Sequence, residues 1–255
     1  MDSMALDELY HSNSKHSAAR LALVTSAQMR RRDRAVHRIY EATKNKYKTY
    51  TTAPQIALPD ATVPLHVPLD DVLVGRRSHR SFRPDPLTLH EIATLLRRSY
   101  GVSSRTGDQC HRPVPSGGGL YPLDLYVLQC ERGALDEGVY HYHVGGHRLQ
   151  RISSACDRRV VQTSSIYPEI VAEAPLVLAL VADMARTRIK YGERAYRLAL
   201  LEAGHVSQNL YLIAPALGLG VVALDGFYDD QVHALLDLDG VGEVAVLVFA
   251  VGRPS

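Results

Sequence analysis

Cysteine is scarce, and its few copies are widely scattered. Cys110, Cys130 and Cys156 are odd in number and form no C-x-x-C, which argues against a disulfide framework and against a zinc site. A reducing cytoplasm is the expected compartment. The first ten residues lack the basic start and apolar run of a secretory signal and carry Asp2, Asp7 and Glu8 instead, so no export signal is read there. Long hydrophobic runs are missing as well. The most apolar stretches, Leu176 to Ala182 and Val244 to Val251, fall far short of the roughly 20 residues that span a bilayer. Charge of one sign is also lacking: the formal net charge is +2, too mild for nucleic acid or an anionic membrane to be the main partner. No Gly-Lys-Ser/Thr follows a glycine run, and no G-x-G-x-x-G, H-E-x-x-H, G-x-S-x-G or acidic calcium loop occurs. Hydrolase readings have no foothold, and small or peptide partners remain.

What is present suits a globular α+β protein, with 46% hydrophobic and 22% charged residues among 255. Residues 1–50 hold ten Lys and Arg against five Asp and Glu, contain no proline, and read as two or three exposed helices. From Thr51 to Leu69 four prolines punctuate short apolar pieces, which marks an extended linker or arm. Thr88-Leu89-His90-Glu91 has the spacing of a capping box and predicts a helix running to Tyr100. Leu123 to Cys130, Gly138 to His143, Pro175 to Ala182 and Glu243 to Gly252 read as strands of one sheet. Glu193 to Ile213 places apolar residues at helical spacing over about 30 Å, predicting a long, mostly buried central helix. Pro215 and Gly218 end it before a short strand from Leu219 to Leu224 and a final helix through Leu236.

Four segments carry chemistry. Arg76-Arg77-Ser78-His79-Arg80-Ser81-Phe82 interleaves guanidinium forks with hydroxyls, a set suited to a phosphoryl group; a solvated basic turn is the alternative. Pro115-Ser116-Gly117-Gly118-Gly119-Leu120-Tyr121-Pro122 removes side chains where a flat ligand or another backbone comes close, although a flexible loop has the same composition. Lys190-Tyr191, placed where a strand-and-loop region turns into the long helix, offers two groups with ordinary pKa values near 10, usable as acid or base only if their surroundings lower them; an exposed Lys-Tyr pair without a role is the alternative. Glu202 to Asn209 sets polar groups and Gly204 into an apolar helix, which suits close approach of a ligand or plain helix packing. His141, His143 and His147 are read as structural rather than as metal ligands.

The order and spacing of these segments resemble the nitroreductase-like flavoenzymes, specifically the SagB-type or McbC-like azoline dehydrogenases. The likeness also takes in Tyr10-His11 with Ser14-Lys15, Gly138 to Tyr142, Leu200 to Leu212 and Val251-Gly252-Arg253-Pro254, and so spans nearly the whole chain. It implies a nitroreductase-like fold, a central mixed β-sheet flanked by helices with a long central helix. Residues 1–60 would be a helical extension and linker, and 61–255 the FMN-binding domain. The implied cofactor is FMN, held at the interface of a homodimer. Arg76, Arg77, Ser78 and Arg80 would bind its phosphate and ribityl groups, with Arg253 assisting. Pro115, Ser116, Gly117 and Gly118 would line the isoalloxazine from the other subunit, and Gly220 would pass nearby. Lys190 or Tyr191 would take the Cα proton of a thiazoline or oxazoline ring in a ribosomally made peptide, giving a thiazole or oxazole, with dioxygen as final acceptor. A cyclodehydratase complex is a further implied partner. The alternative is a flavin oxidoreductase of the same superfamily acting on a carrier-bound thiazoline, a cyclic dipeptide, or a nitroaromatic with NAD(P)H.

Overall fold

The computed structural model describes Leu6, Tyr10, His11, Ser14, Arg34, residues 47–60 and residues 62–255. The helices expected within residues 1–50 lie almost wholly outside the described residues. In chain order the elements are β1 (Gln55–Ala57), α1 (Leu69–Gly75), β2 (Phe82–Arg83), α2 (Leu89–Tyr100), β3 (Ser104–Thr106), β4 (Gln109–His111), β5 (Leu123–Gln129), β6 (Gly138–His143) and β7 (Arg148–Ser153). There follow α3 (Arg158–Thr163), α4 (Pro168–Glu173), β8 (Leu176–Asp183), α5 (Met184–Tyr191), α6 (Ala195–Ala216), β9 (Gly220–Leu224), α7 (Asp229–Leu236) and β10 (Glu243–Pro254).

The main sheet runs β1-β7-β6-β5-β8-β10-β2, with β9 also on β10. The expected α+β class holds, and the four strands read from the sequence occupy its centre. Strand directions are more uniform than a mixed sheet implies: every ladder among the described residues is antiparallel. Side chains alternate across a strand, and here both faces are covered. Leu123, Leu125 and Val127 of β5 join Leu178, Leu180, Phe249 and Val251 beneath α2 and α6. Their neighbours Tyr126, Leu128, Val177, Ala179 and Val248 face α3, α4 and α7. The result is a three-layer sandwich whose central strands read as continuous apolar runs. Three strands of the main sheet escaped the sequence pattern, β7, the two-residue β2 and β1, as did the separate β3-β4 hairpin; β1 is an edge strand that the proline-punctuated arm adds at Gln55–Ala57.

Helix α2 begins as its capping box predicts. Thr88 Oγ1 accepts from the Glu91 amide at 3.2 Å, and the Glu91 carboxylate accepts from the Thr88 amide at 2.7 Å. The same carboxylate pairs with Arg253 at 2.9 Å, so the helix cap also holds the end of β10. Helix α6 has one buried face, including Ala199, Ala203, Val206 and Leu210, while Leu200 and Leu201 on the other are 41% and 58% exposed. It is half buried rather than mostly buried. No helix among the described residues is long and apolar enough to cross a membrane.

Removing the cap hydroxyl in Thr88→Ala should lower unfolding free energy by about 1 kcal/mol in urea denaturation. Glu91→Ala should cost more, because it also strands Arg253. Equal losses in the two variants would show that the ion pair contributes nothing.

Candidate active site

Asp124 on β5 is buried, and the cation it needs comes from α5. Arg186 Nη2 reaches its Oδ2 at 2.7 Å, while Arg186 Nε meets Asp183 at 2.9 Å. Burial opposes ionisation of Asp124, but the Arg186 charge and the His141 ring, whose Nε2 lies 3.6 Å from Oδ1, hold its carboxyl far below the usual carboxylate range. Arg186 Nη1 also donates to the Tyr121 carbonyl at 3.3 Å. One guanidinium therefore joins β5, α5 and the end of the glycine loop.

The loop itself is built on a 3-10 turn at Gly117–Gly119, with Gly118 at φ +68°. Tyr121 is also left-handed, at φ +47°, a conformation that costs a non-glycine residue about 1–3 kcal/mol. Its surroundings hold it there. The Tyr121 amide donates to Ser116 Oγ at 2.9 Å, its hydroxyl accepts from the Arg112 amide at 3.2 Å, and the Arg112 guanidinium lies 4.8 Å from its ring centroid. Arg112 stacks on Tyr100 as well, at 4.2 Å. Tyr100 donates to Glu202 of α6 at 2.5 Å, and Ser116 bonds the same carboxylate. Burial raises the Glu202 pKa, against the lowering effect of these hydroxyls and of Arg112 and Arg186.

The structure brings the glycine loop against Lys190-Tyr191. A Cβ added to Gly118 would sit 2.7 Å from Lys190 Nζ and 2.8 Å from Tyr191 Oη; one added to Gly117 would sit 3.2 Å from Leu198 Cδ1. Lys190 Nζ lies 5.4 Å from the centroid of the Tyr191 ring. The pair ends a helix of its own, α5, where the sequence had suggested a loop running into α6. Pro115 is exposed at the loop entrance.

The basic segment forms a second group. Arg76 lies over the Tyr211 ring at 5.3 Å, and Ser78 Oγ is 3.2 Å from Tyr211 Oη. The Tyr211 hydroxyl also accepts from the Ala223 amide at 2.9 Å, and the His79 amide donates to Val221 at 3.1 Å. Gly220 is packed on His79, where an added Cβ would come within 2.7 Å. Arg76, Ser78 and Gly220 thus belong to one surface beside β9. Arg77 is exposed and folds back on the carbonyls of Val74 and Arg76, and Arg80 is exposed. Arg253 is held by Glu91.

These two groups do not meet in one chain. The glycine loop is anchored at Leu198 and Glu202 and the basic segment at Tyr211, positions separated by about 14 to 20 Å of helix axis. A cavity of about 230 Å³ lined by Asp60, Arg97, Arg105, Tyr142 and His147 contains none of the expected site residues. The histidines serve hydrogen bonds: His141 Nδ1 pairs with Gln150, His143 accepts from the Gly146 amide, and His147 joins Tyr142 and the Pro59 carbonyl. Sequence reasoning missed Tyr211, Arg112, Asp124 and Arg186. Each is an ordinary residue in its own segment, and only Tyr121, two residues after the glycine run and directly before Pro122, carried a local sign of unusual backbone.

Residues 73–253 match the Nitroreductase family. The chain is 37% identical over 199 residues to a Methanocaldococcus jannaschii protein named "Putative nitroreductase MJ1384", an overlap of 78% of this chain and 96% of that one. It is 28% identical to the microcin B17-processing protein McbC of Escherichia coli over 60% of this chain, and spans 57% of that relative's length. Among solved structures, the E. coli microcin synthetase McbBCD complex with truncated pro-MccB17 bound aligns over 94% of this chain and 98% of the matched one, with a TM-score of 0.62 at 20% identity. A nitroreductase-like protein from Desulfovibrio desulfuricans in complex with FMN aligns over 74% and 88%, with a TM-score of 0.52 at 20% identity. At these identities the two structures establish the fold.

Two variants test this geometry. Gly118→Ala meets a left-handed backbone and the Lys190 and Tyr191 side-chain ends at once, so urea denaturation should show a loss of about 1–2 kcal/mol; unchanged stability would contradict the close approach. For Glu202, burial puts the folded pKa above the unfolded value of about 4.3. Its stabilising contribution is full below that value and is lost as pH rises through the folded pKa. Wild type should therefore lose unfolding free energy relative to Glu202→Gln as pH climbs from about 4, then level off. A pH-independent difference would exclude a raised pKa.

Proposed function

The chain belongs to the nitroreductase family, and from that membership we propose that it is an FMN-dependent dehydrogenase that oxidises azoline rings of a ribosomally made peptide to azoles. The observation that carries this reading is the contact between the glycine loop and Lys190-Tyr191. A side-chain-free backbone, able to lie flat against a ring system, directly abuts an ammonium and a phenol. The residues present fit FMN. Arg76 and Ser78 supply a cation and a hydroxyl for its phosphate and ribityl groups, with Arg77, Arg80 and Arg253 as further cations on the rim. Ser116, Gly117 and Gly118, entered through Pro115, form a cradle that any Cβ would fill, and Gly220 lets His79 of the basic segment pack directly on β9. The FMN complex of a protein with this fold supports the same cofactor. When bound, FMN supplies a two-electron acceptor for hydride.

The protein's own part is orientation and proton transfer. Lys190 or Tyr191 takes the Cα proton of the azoline while the loop holds the ring in register. The separation of the two half-sites along α6 supports a homodimer in which the glycine loop of one subunit completes the basic segment of the other. Exposed Tyr196, Leu200 and Leu201 offer an apolar face for that association. The peptide-processing relative and the synthetase complex support a peptide substrate and assembly with partner proteins, and an azoline substrate requires a cyclodehydratase to supply it.

Purified protein reconstituted with FMN should remove two hydrogens per ring from an azoline peptide, read by mass spectrometry. Lys190→Ala combined with Tyr191→Phe should lower that rate on the order of 10²- to 10⁴-fold while flavin stays bound. Full activity in the double variant would remove these residues from the mechanism. The name of the M. jannaschii relative favours a second reading, reduction of a nitroaromatic at NAD(P)H expense. Rapid NAD(P)H consumption with a nitroarene and no change in the azoline peptide would select it.

A further inference from the structure

Outside the site, two thiols that the sequence places 26 residues apart meet. Cys130 Sγ lies 3.3 Å from Cys156 Sγ, at the junction where the chain leaves β5 and where it leaves β7 for α3. Both are free. Cys130 is half-buried and so within reach of a small solute, whereas Cys156 is 1% exposed. Charged groups frame the pair: the Glu137 carboxylate accepts from the Cys156 amide at 3.4 Å, and Arg158 holds Glu131, the neighbour of Cys130, at 2.9 Å.

We propose that Cys130 and Cys156 form a reversible dithiol–disulfide site that takes a hydroperoxide as its oxidant. The pair is asymmetric in a way that assigns the roles. The hydrogen bond from Cys156 lowers the Cys130 pKa, against burial and with help from Arg158, while the same contact and burial raise that of Cys156. Cys130 is then the attacking thiolate and Cys156 the resolving thiol. The Cys130 sulphur attacks one peroxide oxygen, the O–O bond breaks, and a sulfenic acid forms with release of water or an alcohol. Cys156 next attacks the sulfenyl sulphur, the S–O bond breaks, and water leaves as the S–S bond forms. Two thiols supply two electrons, and the hydroperoxide accepts both. A disulfide needs an S–S distance of about 2.05 Å, an approach that side-chain rotation covers from the observed separation.

The bond would brace more than its own loops. Arg158, two residues beyond Cys156, donates to the carbonyls of Val171, Ala172 and Ala174 at the end of α4. Glu173 in the same helix end accepts from Ser81 Oγ at 2.9 Å and from the Phe82 amide at 3.0 Å. The cross-link thus stiffens the support beneath the basic segment 76–82.

The test is a thiol count on the full-length protein before and after hydrogen peroxide, using denaturation, N-ethylmaleimide and intact mass. Reduced protein should take three adducts. Treated protein should take one and weigh about 2 Da less before alkylation, as loss of two hydrogens requires. A non-reducing peptide map should link Cys130 to Cys156, dithiothreitol should restore three adducts, and Cys110→Ser should still form the link. Three adducts after treatment, over-oxidised cysteines without a cross-link, or a cross-link to Cys110 would overturn the proposal.

Discussion

A carboxylate buried in the middle of a sheet has to be neutralised, and the way Asp124 is neutralised sets the position of much else. An ion of this kind loses several kcal/mol of hydration, which is recovered only by a well-placed partner. Arg186 is that partner, and because it rises from α5 it docks that helix against β5 at one place. Lys190 and Tyr191, a turn further on, inherit their positions from the pair. Through the Tyr121 carbonyl the same guanidinium fixes the exit of the glycine loop. The loop and Lys190-Tyr191 are therefore registered by one interaction, although neither contains it.

The loop is held under strain, and the strain is opposed by polar contacts rather than by a hydrophobic lid. Tyr121 stays left-handed because Ser116, Arg112 and Arg186 each bind a different part of it. These contacts lead to Tyr100 and Glu202, so the tension in the loop is referred to the two helices that pack on the sheet. Preorganisation of this sort suits a site whose work is orientation. The basic segment is anchored separately, through Tyr211 and β9. That separation along α6 is the physical reason a second subunit enters the functional proposal.

Much of the scaffold was legible in the sequence because its signals are local. Thr88 and Glu91 specify a helix start within four residues, and the apolar runs of β5, β8 and β10 specify strands buried on both faces. The α6 stripe was equally clear, but its open face was not: Leu200 and Leu201 look like core residues until the opposite side is seen to be covered. Lys190-Tyr191 could be singled out by resemblance alone, and its own helix was hidden by the proximity of α6. β7, with Arg148, Gln150 and Arg151 in its short run, had too little apolar alternation to stand out.

By itself the sequence determined the α+β class, the order of the central strands β5, β6, β8 and β10 with α2 and α6, and the residue types gathered in the basic segment, the glycine loop and Lys190-Tyr191. These depend on periodicity, capping and composition, which act over a few residues. Only the tertiary structure decided that the glycine loop abuts Lys190 and Tyr191, that Arg186 finds Asp124, that Arg253 is held by Glu91, and that Cys130 meets Cys156. Each is a contact between segments distant along the chain, created by the close packing of α5, α2 and the loops on one sheet, and no local pattern encodes which partner such a side chain will meet.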